Sequence, residues 1–274
     1  MRLINVHSME FLEVSDHRAK RYAILSHTWR DGQEISFQEW NTYITKNQGW
    51  EAVAQKSGFK KIEGACQKAK MYGFEYIWVD TNCIDKSSSA ELSEAINSMF
   101  AWYASSAVCF VYLSDVAFHN DIDRSMLEGS RWFTRGWTLQ ELLAPIEVYF
   151  YSKEWMRLGT RSSLAHGIAG ITSIGEDYLT GRNLHSASVA TRMSWAATRQ
   201  TAREEDKAYS LLGIFDINMP LLYGEGGKAF LRLQEEIIKV STDQSIFAWD
   251  PASYLLSKLR AYGNGKPGVK QSKI

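Results

Sequence analysis

Short buried strands that alternate with amphipathic helices are the feature of this sequence that most limits its fold. Tyr22–Trp29 is an apolar run that ends in polar residues, as a buried strand does at its carboxyl end. Three similar runs predict strands at 75–80, 108–113 and 147–151. This alternation predicts right-handed crossovers and a mostly parallel sheet with helices on both faces.

The helices between these strands have recognisable signals. The first is predicted at Ser57–Tyr72, and Gly73 supplies its C-terminal stop. Its apolar residues at helical spacing are Phe59, Ile62, Cys66 and Ala69. Ser88 and Glu91 form an S-x-x-E capping box that opens the next helix.

The second half of the chain is predicted to be helical. Helical patterns cover 162–174, 188–198, 205–215 and 227–240. We therefore expect an α/β core at 1–160 and a C-terminal helical extension of the same domain at 161–250. The basic, Gly-rich segment 251–274 is predicted to be a flexible tail.

Composition argues against several classes of protein. Lys plus Arg and Asp plus Glu both number 31, so the formal net charge is zero, whereas a nucleic-acid binder usually carries a basic excess. The three cysteines have no CxxC spacing and the six histidines are scattered, which argues against a disulfide framework and a metal site. No signal peptide or transmembrane run is present, and these observations predict a cytoplasmic protein without a membrane partner.

Polar residues at the predicted strand ends indicate where a ligand would bind. In sheets of this kind, ligands lie outside the carboxyl ends of the strands. The residues at those ends are Ser26, His27, Asp80 and Ser114. We therefore expect these side chains to line a substrate site.

Four long stretches resemble the HET domain, the heterokaryon-incompatibility module of filamentous fungi. They are YAILSHTW at 22–29, YIWVDTNCID…VYLSDV at 76–116, SRWFTRGWTLQELLAP at 130–145 and the helical segment at 192–230. The chain departs from the family pattern at Arg30, where Gly is usual, and at Asn82, where a second Cys is common.

The resemblance implies an effector of programmed cell death in fungal non-self recognition, a form of innate immunity. HET domains often accompany a nucleotide-binding domain and repeats, which are therefore expected partners, and self-association is expected as well. The chain has no GxxxxGK[ST] phosphate loop of its own. An alternative is a non-enzymatic, self-associating module that recruits a downstream killer.

The chain also resembles TIR domains more distantly. This resemblance implies a TIR-like, flavodoxin-like sheet and an enzymatic activity. It is carried by the order of the strand ends followed by W-x-L-x-E-L, which here runs from Trp137 to Leu142. In TIR enzymes the Glu of this motif takes part in cleaving NAD at the nicotinamide–ribose bond. The resemblance implies Glu141 as the catalytic carboxylate, with NAD as substrate and no bound cofactor. Trp137 and Arg135 are then expected to contact the substrate.

Competing interpretations remain open for these residues. Thr138 and Glu141 have the spacing of a capping box, so Glu141 could serve only the helix N-terminus. Asp80 could cap the turn that follows it. Ser26 and His27 are adjacent in a strand and point to opposite faces, which argues against a Ser–His pair. Cys83 with His27 and Asp80 could instead form a cysteine-hydrolase site.

Overall fold

A computed structural model describes residues 1–118 and 127–248 of the chain. Its centre is a seven-stranded sheet in the order β2-β1-β4-β3-β5-β6-β7. The strands are β1 (Arg2–Asn5), β2 (Phe11–Glu13), β3 (Ala23–His27), β4 (Tyr76–Trp78), β5 (Val108–Tyr112), β6 (Val148–Tyr151) and β7 (Arg157–Thr160).

The middle of this sheet is parallel and its edges are antiparallel. Strand β3 pairs in parallel with β4 and β5, and β5 pairs in parallel with β6. The outer pairs β1–β2, β1–β4 and β6–β7 are antiparallel. The prediction of a mixed α/β fold with a mostly parallel sheet is therefore confirmed. The antiparallel edge strands β1, β2 and β7 were not expected, and they are less buried than the central strand β3, all of whose residues are buried.

Eleven α-helices lie within the described residues. Those before β7 are α1 (Phe37–Ile44), α2 (Trp50–Gln55), α3 (Ser57–Met71), α4 (Ser89–Ser105) and α5 (Thr138–Leu143). Those after β7 are α6 (Ala165–Thr172), α7 (Glu176–Leu179), α8 (Val189–Ala196), α9 (Asp206–Tyr209), α10 (Leu212–Phe215) and α11 (Lys228–Val240).

Most helix predictions match these bounds to within three residues. Gly73 has a φ of +74° just past α3, as expected for the predicted stop. The helix predicted at 205–215 is instead two short helices, α9 and α10, that are separated at Ser210 and Leu211. The predicted tail at 251–274 lies outside the described residues.

Helices cover both faces of the sheet, as the alternation of strands and helices predicts. On one face Tyr72, at the end of α3, packs on Phe110 with ring centroids 5.7 Å apart. On the other face Trp102 of α4 meets Trp78 edge-on at 5.6 Å. Phe110 pairs in register with Leu25, and Trp78 pairs with Ile24. Since neighbours along a strand point to opposite faces, Ser26 shares the α4 face and His27 shares the α3 face.

The helical extension is joined to the α/β core by close packing and polar contacts. Gly213 of α10 lies against Phe100 of α4 so closely that an added Cβ would overlap the ring. Asn97 of α4 accepts a hydrogen bond from the backbone N–H of Met219 at 3.1 Å. Arg199 donates to the carbonyl of Arg135 at 2.9 Å. Across residues 1–118 and 127–248, no helix combines the length and the apolar character needed to cross a membrane.

Candidate functional site

Glu141 reaches from α5 to the carboxyl end of β3. Its carboxyl accepts a hydrogen bond from the hydroxyl of Ser26, and that hydroxyl in turn accepts one from the indole Nε1 of Trp132 at 2.8 Å. Ser26 and Trp132 are fully buried, and Glu141 is only 7% exposed. A carboxyl group is therefore enclosed at the end of the central strand.

The contacts of Glu141 rule out the capping interpretation. The residue before α5 is Trp137, and no side chain caps the helix there. The hydroxyl of Thr138 donates to the carbonyl of Trp132 at 2.6 Å and accepts from the guanidinium of Arg199 at 2.9 Å, so its hydrogen bonds go elsewhere than to the N–H groups of α5. Thr138 and Glu141 thus have the spacing of a capping box without its hydrogen bonds.

The surroundings of Glu141 favour its protonated form. Burial raises the pKa of its carboxyl to about 8, although the hydrogen bond from Ser26 and the nearby charge of Arg135 lower the pKa. The hydroxyl of Tyr103, which donates to the carbonyl of Leu25 at 3.1 Å, is buried nearby. A carboxylic acid with a pKa near neutrality can both hold and release a proton under physiological conditions.

A second polar group lies on the opposite face of β3. The ring nitrogen Nε2 of His27 is 2.9 Å from Oδ1 of Asp80, and the other oxygen of Asp80 accepts a hydrogen bond from Trp29 Nε1 at 2.9 Å. Burial alone would raise the pKa of Asp80, but the charge and the hydrogen bond of His27 bring it down to about 2. Asp80 is therefore ionised and holds the side chains of His27 and Trp29 in place. The prediction that Ser26 and His27 point to opposite faces of the strand is confirmed.

The remaining nitrogen of His27 has no hydrogen-bond partner among the described residues. This atom, Nδ1, is buried and lies 3.9 Å from Oε2 of Glu34. Glu34 is held by the ammonium of Lys61, at 2.7 Å and 2.8 Å to its two oxygens. The fixed Nε2 and the unpartnered Nδ1 leave His27 able to accept or donate one further hydrogen bond.

Three other predicted residues lie apart from the Glu141–Ser26 contact. Ser114 faces the strand ends with its backbone, since its carbonyl accepts a hydrogen bond from Arg30 at 3.2 Å. Arg135 acts on Glu141 through its charge. Trp137 lies against the helical extension, where its side chain is within hydrogen-bonding reach of Asp206.

The cysteine-hydrolase interpretation does not match the geometry. The thiol of Cys83 accepts a hydrogen bond from the backbone N–H of Val79, and burial raises its pKa to about 12. His27 is paired with Asp80 and not with this thiol. A thiol that stays protonated is a poor nucleophile.

Arg199 is a residue of this region that the sequence did not indicate. Its guanidinium donates to the hydroxyl of Thr138 at 2.9 Å, next to the first turn of α5, and burial lowers its pKa to about 10. Its other amino group, Nη2, has no hydrogen-bond partner among the described residues. Arg199 comes directly after the predicted helix at 188–198, and no local pattern distinguished it from the other polar residues there.

Two cavities lie away from the buried carboxyl. One of about 620 Å³ is lined by residues that include Arg2, Glu91 and Trp102. The other, of about 280 Å³, lies between α8, α9 and α11 and is lined by residues that include Arg199 and Phe230. Glu141 lines neither of these two cavities and is only 7% exposed, so its carboxyl is enclosed by the side chains around it. Within the described part of the chain, no group of three His, Cys, Asp or Glu side chains is arranged to hold a metal ion.

Comparison with known proteins identifies the family. The model of the heterokaryon incompatibility protein (HET) family matches residues 22–126, and that of a domain of unknown function (DUF8212) matches residues 228–271. The vegetative incompatibility protein HET-E-1 of Podospora anserina is 49% identical over 226 residues, which is 80% of this chain and 16% of that protein. No solved structure matches the chain. The chain thus spans about a sixth of its curated relative, and it carries a heterokaryon-incompatibility (HET) domain.

Proposed function

We propose that this chain is a cytoplasmic effector domain of a vegetative incompatibility response and that it kills by hydrolysing NAD at the nicotinamide–ribose bond. The observation that carries the proposal is the position of Glu141. Its carboxyl lies at the carboxyl end of β3 and is held there by Ser26, while α5 is left without a side-chain cap.

The order of the parallel strands supports a ligand site at this place. Taken along the sheet, these strands are the second, first, third and fourth in the sequence, an order shared with flavodoxin-like folds. In such sheets the ligand lies where the order reverses, which here is between the carboxyl ends of β3 and β5. Ser26 and His27 are the last residues of β3.

The reaction balances with one water molecule. The bond between the ribose C1 and the pyridinium nitrogen breaks, and its electron pair neutralises the nicotinamide. Water adds to C1 and releases a proton, so the products are nicotinamide, ADP-ribose and H⁺. Positive charge develops on the ribose as the bond breaks, and the carboxylate of Glu141 would stabilise it. The cationic ring of bound NAD favours the ionised form of that carboxyl.

The rim of the strand ends supplies groups suited to a dinucleotide. Trp29 is 40% exposed, and the ammonium of Lys86 lies 3.7 Å from its ring centroid. Arg30, which replaces the usual Gly of the family pattern, extends across the strand ends to Ser114. An aromatic ring can stack on a base, and the two cations can meet a pyrophosphate.

The closed site requires an opening step. Because Glu141 is only 7% exposed, substrate reaches it only after the surrounding side chains move. Self-association of the chain would supply that step, as binding between copies can favour an open conformation.

The test is growth and NAD content of yeast cells that express the chain. We expect cells with the unchanged chain to lose NAD and stop growing, and cells with Glu141→Gln to do neither. Glu205→Gln is the matched control, since Glu205 is equally buried but binds the backbone N–H groups of Gly224 and Gly226. Equal toxicity of the unchanged chain and Glu141→Gln would exclude the proposed reaction.

A non-enzymatic recruiting module is the second candidate, and an exposed apolar surface favours it. Leu231 and Ile238 are two turns apart on the same side of α11 and are 60% and 47% exposed, and Phe247 beyond the helix is 75% exposed. Large exposed apolar side chains mark surfaces that contact other proteins. This candidate predicts that Leu231→Asp with Phe247→Asp abolishes killing, that Glu141→Gln does not, and that NAD stays constant throughout.

A further inference from the structure

The cavity of about 280 Å³ between α8, α9 and α11 has a cationic wall and an apolar interior. The side chains of Met193, Ala196, Leu211 and Phe230 supply its apolar part. Arg199 lies in the same wall. A volume of this size is at the lower end of the range for sites that bind small organic ligands.

The charge of Arg199 is not neutralised by an ion pair among the described residues. The side chain is 8% exposed, and its hydrogen bonds go to the carbonyls of Trp195 and Arg135 and to the hydroxyl of Thr138. Its Nη2 is buried and makes no hydrogen bond. Burying a cationic donor without an acceptor is costly, so an anion placed beside it would stabilise the fold.

A second cation lies at the mouth of the cavity. Lys207 is exposed and contributes to the lining, and no carboxylate pairs with it in the described residues. Both charged groups of the lining are therefore cations, and the rest is mostly apolar. This arrangement selects a ligand with an anionic head and a short apolar body over a neutral, cationic or fully polar one.

We propose that this cavity is a binding site for a small amphipathic organic carboxylate, with the carboxylate near Arg199 and Lys207 and the apolar part among the side chains of α8, Leu211 and α11. The site is separate from the strand ends, so the inference does not depend on NAD hydrolysis. Arg199 connects the two regions, because it holds Thr138 in the first turn of the helix that carries Glu141.

The experiment is isothermal titration of the 274-residue chain with octanoate. Octylamine in its protonated form and octanol are the matched ligands with the same chain. We expect octanoate to bind with one-to-one stoichiometry and the other two to give no saturable heat. Absence of octanoate binding at millimolar concentration, or equal binding of all three ligands, would overturn the proposal.

Variants locate the site. Ala197→Leu fills the cavity from a half-buried position and is expected to abolish octanoate binding. Lys207→Glu is expected to weaken octanoate binding about fivefold at low salt, because reversing an exposed charge is worth roughly 1 kcal/mol. Lys60→Glu reverses another exposed lysine and should leave binding unchanged. Thermal melts followed by circular dichroism show whether each variant is folded, so that a loss of binding is not confused with a loss of folding. Unchanged binding in folded Ala197→Leu would show that octanoate binds elsewhere and would refute the site.

Discussion

Ser26 joins Glu141 to Trp132. Its hydroxyl donates to the carboxyl of Glu141 and accepts the indole N–H of Trp132 at 2.8 Å, so one buried side chain connects β3, α5 and the short helical turn before α5. Glu141 and Trp132 are 115 and 106 positions away from Ser26 along the chain. The candidate carboxyl is thus positioned by tertiary contacts and not by its own helix.

The raised pKa of Glu141 predicts how stability depends on pH. The folded state holds a proton on this carboxyl up to a pKa of about 8, whereas the unfolded chain releases it near 4.5, the ordinary pKa of a glutamate side chain. Between these values the folded state binds more protons, so the contribution of Glu141 to stability falls as pH rises. We expect Glu141→Gln to remove this fall. Urea unfolding at several pH values from 5 to 8 measures the free energy of unfolding of both proteins. If this free energy changes with pH in the same way in the unchanged chain and in Glu141→Gln, the burial of the carboxyl is contradicted.

Asp80 is expected to hold the second polar group together. Asp80→Asn removes the charge that pairs with His27 and weakens the contact with Trp29, and we expect a loss of about 2–3 kcal/mol in the free energy of unfolding. The pKa of Asp80 is depressed to about 2, so its contribution is present above pH 4 and is lost as pH falls towards 2. Urea denaturation at pH 7 tests the loss. Asp31→Asn, at an exposed loop position, should change stability by less than about 0.5 kcal/mol.

The contact between the helical extension and the α/β core predicts that Ala substitutions at two glycines differ strongly in their effect on stability. Gly213→Ala places a methyl group against Phe100 and is expected to cost about 1–3 kcal/mol. Gly129→Ala is the control, because nothing lies within 4 Å of an added Cβ there. Thermal melts of both variants measure the effect. A Gly213→Ala protein as stable as the unchanged chain would show that α10 is not packed on α4.

All three cysteines are expected to be unreactive in the folded protein. Cys66, Cys83 and Cys109 are buried, and burial raises the pKa of each thiol. Iodoacetamide at pH 8 should modify none of them until urea is added. Mass spectrometry counts the modified thiols. Rapid modification of Cys83 in the folded chain would restore the cysteine-hydrolase interpretation.

The sequence alone indicated the architecture better than the contacts of the site. The parallel strands and the helices α3 and α11 were found because their apolar residues form runs or follow regular spacings, and α4 was found from its capping box. The antiparallel edge strands were missed because they are only partly buried, as Phe11–Glu13 is, and so they lack the apolar run that marks a central strand. The Thr138–Glu141 spacing suggested a cap, but a buried hydroxyl on β3 provides a competing partner that no local pattern reveals.

The contacts of the second polar group, formed by His27, Asp80 and Trp29, could not be predicted from the sequence either. Asp80 was identified because an acid at the end of a buried strand is rarely placed there for packing. Its partner His27 ends the neighbouring strand β3, and Trp29 follows just after it. Only the pairing of β3 with β4 brings these two side chains within 2.9 Å of the carboxylate of Asp80. Arg199 was missed because its hydrogen bonds join residues more than 60 positions apart.

The most direct test of the central claim is nicotinamide release from NAD by the purified chain, concentrated until it clusters. Glu141→Gln and Glu205→Gln, both verified as folded, are measured alongside. The account predicts equal amounts of nicotinamide and ADP-ribose from the unchanged chain and from Glu205→Gln, and a loss of at least about a hundredfold in rate with Glu141→Gln. Clustered, folded protein that leaves NAD intact, or a Glu141→Gln variant that releases nicotinamide at the unchanged rate, would contradict it.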